Sequence, residues 1–134
     1  MADFKYKIDP DYDYLIDEKG NTFISLRKIT WGDSDTAKLD LRKYYAREDG
    51  ETMSKGVSFL TEDGPNELAR VLIDTGYGNP KEIADTILQR RPDIGAYIYA
   101  GVENCPEYQE AFQIALEELD NTEEELYDPN ELVG

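Results

Sequence analysis

The sequence predicts an α+β fold, strands first and helices after, and three observations carry that prediction. Segments with the alternation and composition of strands fill residues 4–60, separated by short turn signals. From about residue 61 the apolar spacing changes to that of amphipathic helices and keeps it to about residue 120. With 40% hydrophobic residues and ten tyrosines in 134 residues, the chain can bury enough apolar surface to fold as one domain with an appendage.

"FKYKI" (4–8) alternates apolar and basic residues and reads as a short strand. "DPDYDYLIDEKGN" (9–21) mixes turn signals with one apolar pair, Leu15 and Ile16, and its "KGN" marks a tight turn. "TFISLRKITW" (22–31) is a strand with Ile24 and Leu26 on one face and Ile29 and Trp31 on the other, so a bulge is expected near Arg27 and Lys28. After the turn "GDSD", "AKLDLRKYY" (37–45) alternates cleanly; hydrophobicity places Leu39 and Leu41 inward, and Lys38, Asp40, Arg42 and Tyr44 outward. "REDGE" turns the chain again into "MSKGVSFL" (53–60), completing an antiparallel meander.

The first helix follows Thr61 as N-cap, tolerates Pro65 in its opening turn, carries the stripe Leu68, Val71 and Leu72, and stops at Gly76. Asn79 caps a second, with Pro80 at its first position, Ile83, Ile87 and Leu88 on its apolar side, and Pro92 as its limit. "DIGAYIYAGV" (93–102) fits a short helix or a strand equally well. Pro106 opens another helix, with a stripe of Tyr108, Phe112, Ala115, Leu116 and Leu119. The acidic end beyond about residue 122 has few apolar anchors and is expected to be mobile. This organisation divides the chain into a sheet-plus-helix domain, 1–78, and a helical acidic extension, 79–134.

Composition removes several function classes. There is no histidine, which excludes Ser-His and Cys-His nucleophiles and the usual zinc ligand sets. Cys105 is the only cysteine, so no intramolecular disulfide can form. Among thirty Asp and Glu a neighbouring carboxylate pair is expected by chance, so the sequence names no catalytic residue, metal or cofactor, and an enzyme is not expected. Asp9, Asp11 and Asp13 have the spacing that opens a calcium loop, but Tyr14 stands where the turn needs Gly and Gly20 where the loop needs Glu. Gly76 and Gly78 flank Tyr77 without the Lys-Ser/Thr of a phosphate loop. No signal peptide or membrane span is legible, so a cytoplasmic protein without a membrane partner is expected.

The formal net charge is −16, unevenly spread. All fourteen Lys and Arg lie within residues 1–91, whereas residues 92–134 hold twelve Asp and Glu and no cation. Residues 19–55 carry eight basic and six acidic side chains, the one window suited to an anionic ligand. Single-stranded nucleic acid is held by cations along its backbone and by flat side chains on which bases stack. A twisted sheet could line up Arg27 or Lys28, Arg42, Tyr44 or Tyr45, and Lys55 along one groove.

From Trp31 through Asp40, Leu41, Arg42, Tyr44, Tyr45, Asp49, Gly50, Gly56, Val57 and Ser58 to Phe59, the pattern "W-x8-D-L-R-x-Y-Y-x3-D-G-x5-G-V-S-F" resembles the positive-cofactor-four family of transcriptional coactivators, particularly its small bacterial members. The likeness covers about residues 22–75. It implies a curved four-stranded antiparallel sheet followed by a helix, paired into a homodimer that binds single-stranded DNA with little sequence preference. In that reading Arg42 contacts the DNA backbone, Tyr45 replaces a stacking aromatic, and Lys55 with Gly56 forms a Lys-Gly contact; the role of Trp31 stays open. The hairpin "GDSDT" is acidic where the family is commonly basic, and residues 79–134 have no counterpart in the motif. The acidic composition also fits a protein of another class, a nucleic-acid mimic or an adaptor that binds a basic protein partner.

Overall fold

The computed structural model describes residues 5–126, with side chains through residue 121. It divides into two compact units, Met1–Tyr77 and Gly78–Gly134.

The first unit is a four-stranded antiparallel sheet in the order β1-β2-β3-β4, followed by one helix. The strands are β1 (Tyr6–Lys19), β2 (Thr22–Trp31), β3 (Lys38–Arg47) and β4 (Gly50–Ser58). β1 is far longer than the expected strand, because pairing with β2 extends through the turn-rich stretch after Ile8. Two register breaks, between Ile8 and Asp13 and between Leu15 and Asp17, absorb the surplus residues. Pro10 falls inside the first break, where no ladder N–H is required of it. β2 pairs with β3 from Thr22↔Tyr45 to Ile29↔Lys38 without interruption, so the bulge expected near Arg27 and Lys28 is not in β2. The irregularity lies opposite those residues, in β1.

Alternation then decides which side chains share a face. Ser25, Arg27 and Ile29 of β2 are buried together with Asp40 and Tyr44 of β3, whereas Leu39 and Leu41 are only half-buried. The inward and outward sides of β3 are therefore the reverse of the expected ones. The cause is mutual satisfaction: the inner face is filled by charged and aromatic groups that bond to one another, and Ile29 is its fully buried aliphatic member.

The helices are α1 (Asp63–Asp74), α2 (Pro80–Arg90), α3 (Pro92–Asn104) and α4 (Pro106–Leu126). α1 starts after Glu62 rather than Thr61, whose Oγ1 instead accepts from the Asp63 N–H at 3.3 Å. The chain leaves α1 through Gly76, at φ 96°, a left-handed conformation that glycine adopts without steric cost. Asn79 caps α2, its Oδ1 accepting from the Glu82 N–H at 3.0 Å, with Pro80 in the first turn. The ambiguous stretch 93–102 is helical: Pro92 starts it, and Ile94, Ile98 and Val102 recur at four-residue spacing. α1, α2 and α3 bury no residue. The helix α4 continues to Leu126, past the point where order was expected to end, and residues 127–134 lie outside the described part. Among the described residues, no helix is long and apolar enough to cross a membrane.

Candidate nucleic-acid interface

The inner face of the sheet gathers Phe23, Ser25, Arg27, Ile29 and Trp31 of β2 with Asp40, Arg42 and Tyr44 of β3. Arg27 is its centre. Its Nε donates to Asp13 Oδ1 at 2.8 Å and its Nη1 to Glu51 Oε1 at 3.0 Å, so one guanidinium on β2 ties together carboxylates from both edge strands. The same guanidinium lies 4.4 Å from the centre of the Tyr44 ring, which stacks on Phe23 at 5.3 Å. Burial works against the charge on Arg27, but the hydrogen bonds to Asp13 and Glu51 and the charge of Glu51 outweigh it and hold its pKa above the ordinary value.

A second network occupies the other end of this face. Arg42 donates through Nε and Nη2 to the fully buried Asp40 at 3.0 and 2.9 Å, the paired geometry that suits a guanidinium and a carboxylate. Asp40 also accepts from Ser58 Oγ at 2.6 Å, and Ser58 Oγ accepts from Trp31 Nε1 at 3.0 Å. The indole ring sits 5.0 Å beneath the Arg42 guanidinium, so Trp31 is part of the sheet interior. The hydrogen bonds to Asp40 raise the Arg42 pKa, against burial. Its Nη1 donates to the Ser54 carbonyl at 2.9 Å, fixing β4 one residue before Lys55. Gly56 pairs with Arg42 so closely that a Cβ there would lie 2.6 Å from the Arg42 Cα and the Leu41 carbonyl oxygen. Only glycine fits that approach.

The outer face is different in kind. Register places Lys7, Lys19, Lys28 and Lys43 on it with Tyr14 and Tyr45, around a strip of Ile24, Leu26, Leu39, Leu41 and Val57. Tyr12 joins them through its ring, 4.8 Å from Lys28 Nζ and 5.0 Å from the Tyr14 ring. Among the described residues, no lysine of this face is paired with a carboxylate. Tyr14 is 54% exposed and Tyr45 37%. Tyr12, Lys28 and Leu39 also line a groove of about 440 Å³ that continues to Lys38 and to Phe59, Leu60, Pro65 and Asn66 at the start of α1.

Among protein-family models, curated proteins and solved structures, nothing matches the chain.

The sequence-derived site residues thus divide between two surfaces. Arg27, Arg42, Tyr44 and Gly56 belong to the inner face, where the two arginines are neutralised and Tyr44 is buried. Lys28 and Tyr45 belong to the outer face, and Lys55 is exposed at the register break in β4 between the partners of Arg42 and Tyr44. Lys7, Lys19, Lys43, Tyr12 and Tyr14 were missed as companions of Lys28. Strict alternation along β2 and β3 would have found Lys43, two residues before Tyr45; those in β1 depend on register breaks that only pairing reveals. The calcium-like triad is no cluster, since Asp13 turns to Arg27 and Asp9 Oδ1 accepts from the Asp11 N–H at 2.9 Å.

Proposed function

We propose that the sheet unit binds single-stranded DNA with little sequence preference, and that it does so through its outer face. The observation that supports this most is the segregation of cations. Arg27 and Arg42 are consumed inside the sheet by Asp13, Glu51 and Asp40, while among the described residues the lysines of the outer face stand unpaired beside exposed tyrosines, with Arg47 exposed at the end of β3. Unpaired lysines supply the phosphate contacts, and Tyr14 and Tyr45 supply flat surfaces for bases. Lys28 and Lys55 act directly in this reading. Arg42 acts by holding the Ser54 carbonyl and hence the strand that carries Lys55.

The same reading includes a homodimer. α1 leaves Leu68, Val71 and Leu72 about two-fifths exposed. A two-fold partner could bury such surface. Sedimentation of the full chain at micromolar concentration should give a dimer, and a monomer alone would remove this part.

Binding is tested with a labelled oligo-dT strand titrated at several salt concentrations. Affinity should fall steeply as salt rises, and Lys28→Ala with Lys43→Ala should flatten the slope by roughly 1.4, about 0.7 for each phosphate no longer neutralised. Tyr45→Ala should weaken binding by about 1 to 3 kcal/mol with the slope nearly kept. Absence of binding at low salt would overturn the proposal.

A further inference from the structure

The helical unit carries a surface that the nucleic-acid reading does not use. α2, α3 and α4 leave between them an open groove of about 500 Å³, with Ile83, Ile87, Leu88, Ile98, Val102 and Phe112 on its walls and Glu103 as its charged member. Nothing in α2 or α3 is buried; Leu88 is 68% exposed, Ile98 48% and Phe112 46%. A continuous apolar surface of this kind marks an interaction site.

Charge decides what can occupy it. Residues 78–134 hold fourteen Asp and Glu against three Lys and Arg, none after Arg91. Of those three cations, Arg91 is paired with Asp93. A second copy of this unit would bring the same negative charge against itself, so the surface is poorly suited to self-docking. A strand of nucleic acid is repelled for the same reason. A helix with apolar residues at i, i+3, i+4 and i+7 and with Lys or Arg on its flanks satisfies both features at once: the apolar stripe fills the groove, and the flanks meet Glu103 and the negative charge of this unit.

We propose that the α2–α4 groove docks a basic amphipathic helix of another protein. The proposal is independent of DNA binding, because it rests on a different unit and a surface of opposite charge.

The test uses the full chain and labelled model peptides of about five helical turns made of Leu and Lys. One has its leucines on a single helical stripe, a second has the same composition with leucines spread around the helix, and a third replaces Lys by Glu in the first. The striped Leu/Lys peptide should bind at least tenfold tighter than either of the others. Leu88→Ser with Ile98→Ser should weaken it tenfold or more without changing its salt dependence, since no charge is altered. Glu103→Gln should flatten the salt dependence and leave the preference for the striped peptide. Equal binding of the two Leu/Lys peptides, or unchanged affinity in the serine variant, would overturn the proposal. So would self-association of the full chain that disappears in the serine variant, because the groove would then be occupied by a second copy. Should the serine variant fail to fold, the comparison of the three peptides on the unaltered chain still decides.

Discussion

Arg27→Met keeps an unbranched, apolar stem and removes the guanidinium and its charge from the inner face. The guanidinium is nearly enclosed, its side chain 8% exposed, whereas its partners Asp13 and Glu51 are 43% and 35% exposed. Breaking a fully buried pair from one side costs about 3–5 kcal/mol, but these carboxylates can recover part of their hydration, which brings the expected loss to about 2 kcal/mol. Removing the cation from over the Tyr44 ring adds about 1 kcal/mol, for a total near 3 kcal/mol. Glu51→Gln alone, which leaves Asp13 in place, should cost about 1 kcal/mol. Equilibrium urea denaturation of the two single variants and the double variant gives the coupling directly. It should be about 1 kcal/mol or more, the double variant losing less than the sum of the singles. Additivity within about 0.5 kcal/mol would refute the claim that Arg27 joins the two edges of the sheet, because residues without shared partners simply add.

Three further outcomes follow from the same geometry. Burial pushes the Tyr44 phenol above its ordinary value near 10, against the pull of the Arg27 guanidinium over its ring, so a spectrophotometric titration should show one of the ten tyrosines ionising late or only on unfolding. The stability due to the neutral phenol is fully present below pH ~10 and is lost as pH rises through the raised folded value; Tyr44→Phe, which removes a buried hydroxyl without a hydrogen-bond partner, should abolish that loss at little cost. Gly56→Ala should destabilise the sheet unit by about 2 kcal/mol or more in urea, since the new methyl meets backbone rather than a flexible side chain. Removing the chain after Asn121 deletes Glu123, Glu124, Glu125, Asp128 and Glu131; oligo-dT binding should tighten at low salt and converge with the full chain as salt rises, and equal affinity at low salt would show that the acidic end does not compete for the lysine face.

Much of the fold was legible because local chemistry and tertiary structure agree. Asn79 and Pro80 announce α2, Gly76 ends α1, and the alternation in 37–45 gives β3. β1 was not legible at its full length, since Pro10 and the aspartates argue locally for turns while pairing with β2 overrides them. The sidedness of β3 failed for a deeper reason. Hydrophobicity places leucines inside, and no one-dimensional pattern tells that Asp40 will meet Arg42 and Ser58, or that Arg27 will find carboxylates on two other strands. Once that sidedness is corrected, the candidate site moves with it, from the arginines to Lys28, Lys43 and Tyr45.

The composition of β1 bears on whether the sheet can take up a further strand at its edge. An outermost strand invites another chain to add to it, and growth by such addition leads to fibrils. β1 answers with Pro10, two breaks in its spacing and Asp9, Asp11, Asp13, Asp17 and Glu18, so an arriving copy would meet a kinked, negatively charged border. β4, at the opposite border, carries Gly50, Glu51, Lys55 and Gly56. Head-to-tail stacking of copies would join these two unlike borders, and the irregular, acidic one disfavours it.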